Sequence, residues 1–159
     1  MVSLLLRTSE MALAPPFASP EMALQVQVSG ADTEPLPPAE ISKLFPRVRP
    51  FSPRFERLTR SARVAVRCAS RVVGFAAFQR ADHELRVTDL ALAATTDHGV
   101  RDVLDVMLDA LEAACMAGGF RRLVLPPPPR AHGLLRRRGY YFVHEGCAGM
   151  WVEKTFTRT

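Results

Sequence analysis

The chain predicts an α+β fold, a mostly antiparallel central sheet flanked by helices, and three observations carry that prediction. Three strand-like segments follow one another between residues 62 and 93, as in an antiparallel meander. One long amphipathic helical repeat occupies residues 98–119. Short strand patterns then alternate with one short helix to the end of the chain.

In order, "LQVQV" (24–28) alternates apolar and polar residues, the pattern of a half-buried strand. "SGADTEPLPP" is a loop, and Pro37-Pro38 can open a helix at "AEISKLF". Pro46, Pro50 and Pro53 interrupt the chain before a second short helix in "PRFERLTRSA". The meander follows as "ARVAVRCA", "RVVGFAAFQR" and "LRVTDLALA". In the long helix Val100, Val103, Leu104, Met107, Leu111 and Cys115 form an apolar stripe, while Asp105, Asp109 and Glu112 mark a wet face. Asp97 or a preceding Thr can cap its start, and Gly118-Gly119 can end it. "RRLVL" reads as a strand, "RAHGLLRRRG" as a helix stopped by Gly139, and "YYFVHE" and "MWVEKTF" as closing strands joined by "GCAG".

Residues 1–22 carry no periodic segment, and Pro15, Pro16 and Pro20 obstruct regular structure there. They read as a flexible tail before a domain over 23–159, with Met11 and Met22 as alternative starts. The apolar run Leu4–Leu6 is too short for a secretory signal.

At 159 residues and 48% apolar content the chain suits one domain with a real core. No apolar run approaches the ~20 residues of a membrane helix. Cys68, Cys115 and Cys147 form no C-x-x-C pair, which fits reduced thiols in a cytoplasmic protein. The four histidines lack metal-ligand spacing, so no metal is expected. Basic residues outnumber acidic ones 21 to 16, a formal charge of +5 that favours anionic ligands without identifying one.

The order of elements, together with "VVGFAAF", "DLALAATTDHGV", "MLDALEAACMAGGFRRLVL" and "LLRRRGYYFV", resembles the GCN5-related N-acetyltransferase (GNAT) superfamily over roughly residues 24–156. The resemblance implies an acyl-CoA N-acyltransferase fold that takes acetyl-CoA and an amine acceptor. It also implies a splayed strand, here around Leu92 and Ala94, whose backbone meets the pantetheine arm. A pyrophosphate would then lie on the start of the following helix, where backbone N–H groups and the helix dipole favour anions.

The family's signature there is Arg/Gln-x-x-Gly-x-Gly/Ala, whose glycines let backbone approach phosphate. In this chain Gly99 takes the first position, Val100 and Arg101 the next two, Asp102 the first glycine, Val103 the spacer and Leu104 the second glycine. The motif is thus degenerate: Asp102 adds a repelling carboxylate and Leu104 a side chain. Arg136 leads an arginine run near the expected 3′-phosphate. The family's acid, a Tyr on the last helix, falls at Leu135. Its base is often a carboxylate on the fourth strand, where Asp89 or Glu84 stands.

Two readings stay open. One is an N-acyltransferase moving an acetyl or acyl group from acyl-CoA to an amine, with a divergent cofactor loop. The other is a non-catalytic GNAT-like module for regulation or contact with a protein partner. RNA binding through arginines ranks below both, because stacking aromatics are not interleaved with them. Neither a nucleic acid nor a membrane is expected as a partner.

Overall fold

The computed structural model describes residues 11–13, 23–144 and 146–157. One sheet of eight strands runs β1 (Met11–Leu13), β2 (Leu24–Ser29), β3 (Arg63–Cys68), β4 (Arg71–Ala81), β5 (Glu84–Leu92), β6 (Arg122–Leu125), β8 (Met150–Thr155), β7 (Tyr141–His144) in spatial order. Every neighbouring pair is antiparallel except β5 and β6. Helices α1 (Pro38–Leu44) and α2 (Pro53–Arg60) cover one face. Helix α3 (Val100–Ala117) covers the other, and α4 (His132–Arg137) links β6 to β7.

The α+β expectation holds element by element beyond Leu24. A tail reading of residues 1–22 is corrected at one point: Met11–Leu13 pairs with β2 in the register Met11↔Val26. The other residues of that segment lie outside the described ones.

Two apolar layers form on the two sides of the sheet. Leu104, Met107, Leu108 and Leu111 of α3 pack on Val64, Val66, Ala76 and Val87. On the opposite face Ile41, Phe45, Phe55 and Leu58 enclose Phe75 and Ala77. Ser52 caps α2 by accepting the Phe55 N–H at 3.2 Å, and Pro53 occupies the first turn, where no N–H is required.

The wet face of α3 is not left to solvent. Arg138, just past α4, pairs with Asp105 at 2.7 Å, with Asp109, and with Glu112 at 3.3 Å. Glu112 also takes Lys154 at 3.1 Å and the Tyr140 hydroxyl at 3.0 Å. Burial pushes the Tyr140 phenol well above its ordinary range, and Glu112 adds to that. Tyr140 is therefore a neutral core residue.

Gly74 sets the distance between β4 and α3. A Cβ there would lie 2.8 Å from both Val103 Cγ1 and Met107 Cε. Gly74→Val should therefore destabilise the domain by about 1–3 kcal/mol, through overpacking that side-chain adjustment relieves only in part. The urea unfolding midpoint checks it.

Candidate active site

The site arises where two strands part. Strands β5 and β6 pair in parallel from Glu84↔Arg122 to Arg86↔Val124. Beyond Leu125 the chain continues as Pro126–Pro129, which have no N–H to give a ladder. On β5 the register shifts beside Ala77, leaving Thr88 as an extra residue. The rest of β5 thus keeps its β4 side paired while its other edge faces a cleft of about 1100 Å³.

Leu90, Ala91 and Leu92 of β5 form one wall of the cleft, and Pro126–Pro129 form the other. Phe45 of α1 and Leu134 of α4 add apolar surface. The rim is charged: Arg101, Arg130 and Arg137 face it together with Asp102 and Asp105. Since Asp105 is paired with Arg138, the balance at the rim is positive.

Helix α3 opens into this cleft at Gly99. The Asp102 carboxylate turns back and accepts the Gly99 N–H at 3.0 Å, half of a capping box, since glycine has no side chain to return a bond. The amides of Val100 and Arg101 keep no acceptor among the described residues. They are the donors that a helix start offers to an anion.

The expected cofactor residues therefore divide. Leu92, Gly99, Val100, Arg101 and Asp102 all border the cleft. Ala94 lies past the end of β5, exposed and outside the lining. Val103 and Leu104 are core residues of α3; Leu104 is 1% exposed, so its side chain does not stand where phosphate would approach. Arg136 points to solvent outside the lining, and its neighbour Arg137 is the arginine of α4 that reaches the rim.

The two expected carboxylates also part company. Glu84 sits at the closed end of β5, where Arg122 holds it at 3.0 Å and Arg86 at 2.8 Å. Burial pushes its pKa upward, but the hydrogen bonds from Arg122 and Arg86 outweigh that and hold it below its usual range. Both oxygens are occupied, so Glu84 acts as a structural ion pair.

Asp89 stands where β5 has left β6, opposite Ala77 on the α1–α2 face. Its side chain is 3% exposed, and Arg54 of α2 reaches Oδ1 at 2.9 Å. Oδ2 is buried with no hydrogen-bond partner among the described residues. Nothing in the sequence announces Arg54, because its partner lies 35 residues away and the pairing is tertiary.

A splayed parallel pair, a helix start in the opening and helices on both faces invite comparison with known folds. No protein-family model and no curated protein match the chain. Solved structures do. The aminoglycoside 6′-N-acetyltransferase from Enterococcus faecium superposes with a TM-score of 0.63 at 14% identity, over 84% of this chain and 98% of that one. The GNAT domain of S. lividans PAT gives 0.62 at 15% identity, over 92% and 97%. The chain has the GNAT fold.

N-acetylglutamate synthase from Neisseria gonorrhoeae, solved with coenzyme A and N-acetyl-glutamate, matches at 0.60 and 14% identity. That match covers 84% of this chain and 35% of the synthase. Leu135, the position at which the resemblance put a tyrosine acid, is fully buried in the core. Among the described residues no Tyr, His or Cys lines the cleft. Among the described residues no group of three His, Cys, Asp or Glu side chains is arranged to hold a metal ion, and no helix is long and apolar enough to cross a membrane.

Proposed function

We propose that the chain is an N-acyltransferase, a domain over residues 23–159 that takes an acyl group from acyl-CoA and gives it to an amine. The observation that carries the reading is Asp89: a buried carboxylate with one unpartnered oxygen, at the point where the sheet opens. A buried polar atom without a partner lowers stability by about 1–3 kcal/mol. A fold kept only as a scaffold gains by replacing such a group with an apolar one. A site that receives an ammonium or amine N–H accounts for the free oxygen.

The cleft fits the cofactor. Its apolar walls suit a pantetheine arm, and the open edge of β5 offers backbone groups to the amides of that arm. Arg101, Arg130 and Arg137 and the free amides of Val100 and Arg101 suit the phosphates. The arginines take the part that glycine-rich backbone plays in the usual signature. Bound there, acyl-CoA supplies the activated acyl group as a thioester.

The chain's own residues do the rest. Asp89 Oδ2 takes a proton from the acceptor ammonium, directly or through one water, and leaves a nucleophilic amine. Arg54 holds Oδ1 and thereby fixes the direction of Oδ2. With Leu135 in the core, α4 offers no side-chain acid from that place, and protonation on the thiol side falls to water.

Calorimetry with acetyl-CoA and the full chain tests the binding half. The natural protein should bind, and Arg137→Glu should weaken it by about tenfold or more. Asp102→Asn should tighten it by up to about tenfold, since one charge leaves the phosphate's neighbourhood and the Gly99 N–H is freed from a carboxylate. No binding by either the natural chain or Asp102→Asn would leave the fold without its cofactor and overturn the reading.

A further inference from the structure

We infer that the acceptor amine belongs to an acidic polypeptide segment that lies along the arginine-lined outer face of α2. The inference rests on the acyltransferase reading and names the chemistry of its second substrate. Arg54, Arg57 and Arg60 recur at every third position of α2, which places them along one side of the helix. Arg54 reaches Asp89; Arg57 and Arg60 are exposed and make no ion pair among the described residues. Arg47 and Arg49, exposed in the segment leading to α2, are equally without an ion pair among the described residues. Residues 45–62 hold these five arginines against one carboxylate, Glu56, so five minus one leaves +4.

Beside α2 runs a groove of about 1170 Å³ lined by Arg57, Arg60 and Arg80 of β4 against Asp32 and Glu56, so three minus two leaves +1 in the lining itself. The dipole of α2 favours cations in its last turn, where Arg57 and Arg60 lie, and Asp89 answers Arg54. Like charges three residues apart still weaken a helix, and no ion pair among the described residues compensates Arg57 or Arg60. An external anion does.

The acceptor must also bring an aliphatic amine to Asp89, and this selects among anions. A nucleic acid supplies the charge but no such amine. A free amino acid does not span the whole run of arginines, because Arg60 lies six residues, roughly 9 Å of helix rise, beyond the Arg54 that holds Asp89. An extended segment of about four residues covers that distance, with an amine at one end and Asp or Glu side chains opposite the arginines. The same arginines repel a polycation, so an aminoglycoside does not suit this face.

Fluorescence anisotropy with labelled peptides of equal length tests the inference on the full chain. Each peptide carries one central lysine, flanked by glutamates, by serines or by arginines. The glutamate peptide should bind at least about tenfold more tightly than the serine one, and the advantage should shrink as salt rises. The double change Arg57→Glu, Arg60→Glu should abolish that advantage; both side chains are exposed and make no ion pair among the described residues, and Arg57→Gln, Arg60→Gln, which sets no carboxylate against the end of the helix dipole, should give a milder loss of the advantage with the unfolding midpoint nearly unchanged. Equal binding of the three peptides, an unchanged advantage in the double variant, or tighter binding of a single-stranded RNA of the same charge would overturn the inference. Acetyl-CoA titrations run alongside: cofactor binding without peptide preference sinks this inference alone, while peptide preference without cofactor binding sinks the acyltransferase reading on which it rests.

Discussion

Leu111→Asp abolishes the cooperative unfolding transition of the domain. Leu111 is fully buried at the middle of α3, among residues packed on the sheet. The change removes about 1.5–3 kcal/mol of apolar burial and places an unpaired carboxylate in its stead, at several kcal/mol more. Together these match or exceed the whole stability of an ordinary domain, about 5–15 kcal/mol. Asp109→Lys provides the contrast. Asp109 is more than half exposed and is one of three carboxylates around Arg138, so Asp105 and Glu112 still hold that arginine when it is replaced. A loss of about 1 kcal/mol is expected. Thermal melts of the two variants check both statements, and similar losses would mean that α3 is rotated from the orientation described.

If the chain acts as the proposed acyltransferase, Asp89→Asn should lower the turnover number by about 10²–10⁴ while leaving stability unchanged or raised. The amide keeps the shape of the carboxylate and can still accept from Arg54, but it takes no proton. Acyl transfer from acetyl-CoA to a lysine peptide measures the first effect and thermal melting the second. Acetyl-CoA affinity should not move, since Asp89 lies outside the cleft lining. Turnover within a few-fold of the natural protein would reduce Asp89 to a partner of Arg54.

Residues that repeat with a period were the legible ones. Of the predicted stripe, Val103, Leu104, Met107, Leu111 and Cys115 are buried as the helical spacing requires, while Val100, in the first turn at the cleft, is exposed. Strand β1 was not legible, since three residues show no alternation and its register comes from the edge of β2. Arg136, Arg137 and Arg138 are indistinguishable in the sequence. About 100° of helical rotation per residue sends one to solvent, one to the cleft and one into the carboxylates of α3.

Asp89 and Glu84 were equal candidates for the same reason. What separates them is the point where the β5–β6 ladder ends ahead of Pro126: Glu84 lies within that ladder, whereas Asp89 lies beyond it, buried on the α1–α2 face. Leu104, aligned with a glycine position, turns its side chain from α3 into the core. Counting residues along a signature does not say which side of the helix each one occupies.

The prolines after β6 have one further effect, on binding entropy. Four consecutive pyrrolidine rings hold φ near −65°, so Pro126–Pro129 have few backbone states to lose when a ligand lies against them. Ordering a flexible loop of the same length takes about 1–2 kcal/mol per residue from the free energy of association. Here that loss is already absorbed in folding. A ligand bound there as proposed would meet a standing wall, and its affinity would reflect contacts made rather than motion stilled.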